Sequence, residues 1–324
     1  MTPAEILQKI GGLSALVVGD ICLDRWCTYD PAEGEPSRET GIPRIGVVET
    51  VVTPGAGGTV ANNLAALGVG RIAVLGAIGD DGSGYELSHA LAARGASSDL
   101  CVRSRAIQTF TYTKLLNAAN QVEDQPRIDF INTRPLPVDV ERALLDRLPM
   151  AIEQHDVILI ADQAETASGG VVTPAVRDAI CGLALSYRDK IFFADSRTRV
   201  TEFRHVIAKP NQQEAEGAST RFCGRIDYPA LRAHIAAPLL IVTHGEDGVE
   251  LFTEDGAKWV KTTPEPNPVD ICGAGDSFSA GMAMALAAGA SPLEAARFGN
   301  IVASITIMKK GTGTASPAEV LAKA

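Results

Sequence analysis

Pro268-Val269-Asp270-Ile271-Cys272-Gly273-Ala274-Gly275-Asp276-Ser277-Phe278 runs straight into Ser279-Ala280-Gly281-Met282-Ala283-Met284-Ala285-Leu286. Gly273, Ala274 and Gly275 make a turn without bulk, and an apolar helical run begins directly behind it. Such a turn lets backbone N–H groups approach an anion, and the positive end of the helix dipole favours negative charge at that point. Asp276, on the same first turn, opposes an anion by repulsion. It reads in one of two ways. It caps the helix, as Asp often does, or it is a base that takes a proton from a nucleophile while the turn holds a charged group.

The chain around this stretch supplies a scaffold. Leu16–Asp20, Ile72–Gly76, Val157–Asp162, Ile191–Asp195, Val206–Ala208 and Leu239–Val242 are short apolar runs closed by turn residues, the pattern of buried strands. Helical segments near 83–94, 174–187 and 297–303 alternate with them. The alternation predicts an α/β fold: a doubly wound, mostly parallel sheet flanked by helices, formed by residues 1–324 as one domain. Open sheets of this kind place ligands at the carboxyl ends of their strands. Asp20, Asp162, Lys209-Pro210-Asn211-Gln212-Gln213-Glu214 and Thr243 fall at such ends. Asp20 also reads as a turn former, and Asp24-Arg25 as a surface pair.

Two β-rich regions interrupt the rhythm, at about 33–53 and 105–132. Ile45–Thr53 is β-branched, and hydroxyl and aromatic residues alternate in Thr109-Phe110-Thr111-Tyr112-Thr113-Lys114. Either they pair as a small β-sheet lid over the ligand face or they extend the main sheet. A lid would exclude water from the chemistry. Between them, Pro54-Gly55-Ala56-Gly57-Gly58-Thr59-Val60-Ala61-Asn62-Asn63 enters a helix with little bulk. Thr59, Asn62 and Asn63 offer uncharged hydrogen-bonding groups, which suit a polyhydroxylated ligand. Arg38, Arg44 and Lys114 are either solvated charges or contacts for a substrate phosphate.

Composition removes several classes. The 324 residues are 46% hydrophobic with net charge −10 and no basic run, so neither nucleic acid nor an anionic membrane surface is an expected partner. No stretch approaches the ~20 apolar residues of a membrane span. The six cysteines contain no CxxC pair and read as reduced thiols. The first ten residues lack a signal-peptide core. A cytoplasmic protein is the expectation. His155, His205, His234 and His244 share no metal spacing and read as surface or turn residues.

Taken together, Gly19-Asp20, the glycine-rich loop before Asn63, Lys209-Pro210-Asn211-x-x-Glu214, Thr243-x-Gly245-x-x-Gly248 and Asp270-x-x-Gly273-Ala274-Gly275-Asp276 resemble the PfkB, or ribokinase-like, carbohydrate kinases over nearly the whole chain. Val18–Trp26, Thr113-Lys114-Leu115 and Arg127-Ile128-Asp129-Phe130 are most similar to the bacterial heptose 7-phosphate kinases of that family, which phosphorylate the anomeric hydroxyl of D-glycero-β-D-manno-heptose 7-phosphate. The resemblance implies a ribokinase-like fold, ATP and Mg²⁺ as cofactors, and a homodimer formed through the lid. It implies that Asp276 is the base and that the N–H groups of Gly273, Ala274 and Gly275 hold the phosphoryl group. Asn211 and Glu214 would serve the Mg²⁺–phosphate region, Glu214 through water. Lys209, Thr243, Gly245, Gly248 and Asn300 would line the nucleotide site. Asp270 matches a loop that binds a monovalent cation, such as K⁺, in many relatives. Asp20, Asp24, Gly57, Gly58, Thr59, Asn63, Lys114 and Asp162 would form the sugar site.

The sequence departs from the heptose-kinase pattern in that site. Thr59 stands where the family usually has Asn, Ala56 replaces the second glycine of a pair, and Asp162-Gln163-Ala164-Glu165 lacks an aromatic and a lysine found after the middle strand. A kinase of an unphosphorylated sugar or nucleoside therefore remains open, as does a non-catalytic nucleotide or sugar sensor. The retained Asp276 and Glu214 argue against the sensor. A dehydrogenase is excluded because no GxGxxG follows the first strand.

Overall fold

The apolar runs Ser14–Gly19, Val157–Asp162 and Ile191–Ser196 lie side by side, in parallel, in a nine-stranded sheet. This is seen in a computed structural model that describes residues 1–166 and 168–324. Arg71–Leu75 and Ala96–Ser97 extend the parallel array on one side, Ile207–Ala208 and Leu240–Thr243 on the other. Leu16, Val17 and Val18 are all buried, which explains an unbroken apolar run: both faces of the sheet are covered. Gly57–Ala66, Ala274–Ala287 and Pro292–Thr306 pack on one face through Val60, Leu64, Met282 and Val302. Val138–Glu153 and Pro174–Ser186 cover the other through Leu144, Leu148 and Ile180.

A second, four-stranded sheet has the order Val47–Ala56, Ile21–Tyr29, Thr111–Asn117, Ile128–Phe130. The two β-rich regions expected to pair with each other do not. Ile21–Tyr29 lies between them, antiparallel to the first and parallel to the second. That strand is hard to read because only Asp20 separates it from the main-sheet strand ending at Gly19. The turn there requires glycine: Gly19 has φ +130°, and a Cβ would fall 2.2 Å from the Ala161 carbonyl oxygen. Most of 30–46 is irregular rather than strand, with one 3₁₀ turn at Pro31–Glu33.

The edge of the main sheet holds an antiparallel hairpin, Val249–Thr253 and Gly256–Val260, which the alternating pattern did not reveal. Asp255-Gly256 is a recognisable turn signal for it. His155, expected at the surface, is buried, with Nδ1 placed 2.7 Å from the Ala151 carbonyl oxygen. All six cysteines are free. No helix among the described residues is long and apolar enough to cross a membrane.

Candidate active site

The helix Ala274–Ala287 starts at Gly273, whose φ of +78° closes the preceding turn. Two cavities meet at that point. The larger, of about 1230 Å³, opens along the carboxyl ends of the main-sheet strands and is lined by Lys209, Asn211, Glu214, Thr243, Asn300 and the 273–276 turn, with Gly245 and Gly248 at its rim. The smaller, of about 300 Å³, lies under the second sheet and is lined by Asp24, Trp26, Ala56, Thr59, Tyr112 and Lys114. Gln163, Glu165, Arg197, Gly273 and Asp276 line both.

Asp276 is thus placed where the two cavities meet. Burial pushes its carboxyl up to about 7, and the Asp195 carboxylate adds to that, while Lys209 and Arg197 pull the other way. A carboxyl poised near neutrality is suited to proton transfer. Lys209 is buried and its ammonium lies 2.8 Å from Asp195. Burial acts against its charge, but Asp195, then Glu214 and Asp276, leave the amine above its ordinary value. The same ammonium sits 3.6 Å from where a Cβ on Gly275 would be, so the turn carries a fixed positive charge beside its N–H groups.

Asn211 caps the helix Gln212–Cys223 in a reciprocal box: its side-chain oxygen accepts from the Glu214 N–H at 2.9 Å, and Glu214 accepts from the Asn211 N–H at 2.8 Å. Burial raises the Glu214 carboxyl, partly offset by that N–H. The Asn300 side-chain nitrogen is buried in the larger cavity's wall with no partner among the described residues. In the smaller cavity, burial lifts Asp24 to about 6 against the pull of Lys114 and Arg127. Gly55 makes room for it, since a Cβ there would lie 2.5 Å from the carboxylate.

Several expected site residues are placed elsewhere. Asp20 is buried and lines neither cavity. Its oxygens accept from the N–H groups of Gln163, Ala164 and Val171, each at 2.8 Å, so it pins the loop after the middle strand. Asp162 is buried in an ion pair with Arg199, with Nε 3.1 Å from both oxygens, and accepts from the Ser196 hydroxyl at 2.6 Å. Gly57, Gly58 and Asn63 are buried behind Thr59; the Asn63 amide donates to the Thr59 carbonyl at 2.9 Å. The Ala274 N–H turns back to the Ile271 carbonyl at 3.2 Å rather than outward. Asp270 accepts from the N–H groups of Cys272 and Gly311, at 2.9 and 3.1 Å, and so ties two loops together.

Sequence reasoning passed over Asp195, Arg197, Trp26, Tyr112 and Arg127 as lining residues. Asp195 closes a strand as Asp20 and Asp162 do, and that position was its signal. Arg197 gave none.

A mostly parallel α/β sheet with a small second sheet over its carboxyl edge defines a class of kinase folds. Residues 15–319 match the pfkB family carbohydrate kinase model, and the chain belongs to that family. It is similar to the bifunctional protein HldE of Pelobacter propionicus, 31% identical over 98% of this chain and 64% of that protein; the chain thus spans under two thirds of that relative's length. Its fold is that of phosphofructokinase-2 from Escherichia coli, solved in complex with potassium (TM-score 0.72, 19% identity, 96% of this chain and 97% of that one). It is equally that of Arabidopsis thaliana ribokinase, solved with ribose and ATP (TM-score 0.66, 19% identity, 96% and 98% covered).

Proposed function

We propose that this chain transfers the terminal phosphoryl group of ATP to a hydroxyl of a sugar phosphate of the heptose 7-phosphate kind. The observation that carries this reading is the position of Asp276, at the junction of a nucleotide-sized cavity and a sugar-sized one, with its carboxyl near neutrality. Lys114, Arg127 and Arg197 line the smaller cavity beside the carboxylates of Asp24, Asp129, Glu165 and Asp276, and these three cations would receive a phosphate already on the acceptor.

The larger cavity fits ATP on its own features: the Asn300 amide lacks a partner, and the helix N-terminus beside Lys209 suits phosphate. Among the described residues no three His, Cys, Asp or Glu side chains converge on a metal position. Asp195 and Glu214 in the wall of the larger cavity fit Mg²⁺, which keeps several waters and takes phosphate oxygens alongside one or two carboxylates. Bound MgATP supplies the phosphoryl group and neutralises charge that builds on it. Within the chain, Asp276 accepts the acceptor hydroxyl's proton, the Gly273 and Gly275 N–H groups and Lys209 face the transferred group, and Asp24 and Thr59 orient the sugar. Phosphoryl transfer asks mostly for such positioning and charge neutralisation. K⁺ would bind at Asp270, whose carboxylate oxygens each retain acceptor capacity. The second sheet would act as lid and as the dimer contact.

The test is ADP release with MgATP over a panel of sugars and sugar phosphates, beside Asp276→Asn. Turnover on one sugar phosphate that falls about 10²-fold or more in the variant is the expected result. Undiminished turnover in Asp276→Asn would sink the mechanism. Binding of ATP or sugar without turnover on any acceptor would point to a sensor.

A further inference from the structure

Of the five residues that line both cavities, Arg197 alone carries a positive charge. It follows the strand Ile191–Ser196, two positions after Asp195, so the main sheet fixes its backbone at the level of Asp276. Its side chain is held loosely. The guanidinium pairs with Glu165, and Nε donates to the Gln163 side-chain oxygen at 3.3 Å. The ion pair is exposed, with side-chain accessibilities of 49% and 70%, and such pairs contribute little. Burial raises the Asp276 and Glu214 carboxyls, and the Arg197 charge is among the groups that oppose that rise. Lys209, the other cation near the turn, is buried and fixed in place by Asp195, whereas the partner of Arg197 is exposed.

Resting on the kinase reading above, we propose that Arg197 is a catalytic residue that leaves Glu165 and grips the phosphoryl group during its transfer between the cavities. A planar guanidinium presents two parallel N–H donors to phosphate oxygens, which an ammonium cannot do. The group in flight must cross the point where the cavities join, and Arg197 borders both sides of that point. The weak Glu165 pair keeps the fork near the site without holding it there. No bond to Arg197 forms or breaks; it carries charge while the phosphoryl group passes from the nucleotide oxygen to the acceptor oxygen.

The test compares wild type, Arg197→Ala, Arg197→Lys and Glu165→Gln by turnover with MgATP and by equilibrium binding of MgADP with and without aluminium fluoride, in the presence of the acceptor. For Arg197→Ala a kcat loss of about 10²–10³-fold, the scale of removing one transition-state donor, with KM for ATP within about threefold, is expected. The variant should bind MgADP like wild type but lose at least tenfold of the added affinity that fluoride confers. Arg197→Lys should recover only part of either. Glu165→Gln should strengthen the fluoride complex by up to about fivefold, since an exposed pair is worth up to about 1 kcal/mol. The acid limb of the pH–rate profile should move up in Arg197→Ala, because a positive charge that opposes Asp195, Asp24 and burial at Asp276 is gone.

Equal losses of MgADP and fluoride-complex affinity would reduce Arg197 to ground-state binding and overturn the proposal, as would an unchanged kcat. A wild-type chain that transfers no phosphoryl group would overturn the proposed function, and this inference with it.

Discussion

A carboxyl held near 7 has consequences for both rate and stability. As the proposed base, Asp276 would act only when ionised, so turnover should climb as pH rises through about 7 and level off above it. Its weakened acidity also means that the folded chain keeps a proton the unfolded chain gives up near pH 4. Stability contributed by Asp276 is then present at acid pH and is lost as pH rises toward 7. Asparagine has the same shape and never ionises. We expect Asp276→Asn to melt somewhat above wild type at pH 5 and further above it at pH 8, with turnover at pH 8 about 10²-fold or more below wild type. Thermal scans at the two pH values decide this, and a melting difference that does not widen toward pH 8 would refute the burial argument. Ala56 shows a different conflict at the same scale. It stands where the resemblance to the family leads one to expect glycine, and its backbone has φ +50° and ψ −119°, which an L-residue adopts at a cost. The substitution is plain in the sequence; the strained backbone beneath it is not.

At the scale of elements, the loop after the middle strand depends on Asp20. It leads through Gln163 and Glu165, which border both cavities and hold Arg197, and its backbone is fastened to one buried carboxylate by three N–H donors. Asp20→Ala leaves the buried amides of Ala164 and Val171 and the half-buried amide of Gln163 without an acceptor, at about 1–3 kcal/mol for each buried one. A loss of about 3 kcal/mol or more in denaturant unfolding is expected, with kcat falling alongside. Had Asp20 served only to hold the sugar, KM would rise with stability unchanged. The sequence shows why this role was out of reach. Strand ends at Asp20, Asp162 and Asp195 follow one pattern, an apolar run closed by Asp, so all three were legible as edge residues. Which way each side chain points depends on partners far along the chain: Val171 for Asp20, Arg199 for Asp162, Lys209 for Asp195. The glycine turn at 273–275 was readable because its chemistry is local. The lid's central strand was not, since a single residue parts it from the strand before.

The whole molecule leaves its second sheet uneven. Val47–Ala56 and Ile128–Phe130 are its outer strands, and among the described residues neither has a neighbour on its far side. The same sheet and its flanks expose Ile42, Val48, Val51, Val122, Ile128 and Phe130. An unpaired strand edge beside exposed apolar side chains is a template for pairing with another chain, and soluble proteins ordinarily protect it. A second copy would cover it symmetrically, as closed homodimers do. It would also steady the sheet that carries Asp24, Trp26, Tyr112 and Lys114 over the smaller cavity. In sedimentation equilibrium the chain should therefore run at twice its 34.0 kDa mass. A Val48→Lys, Val51→Lys double variant should run as a monomer. Its acceptor KM should rise several-fold while KM for ATP stays put, because only the acceptor cavity is roofed by this sheet. A wild-type monomer at micromolar concentration, or a dimer untouched by the two lysines, would remove the lid as the contact.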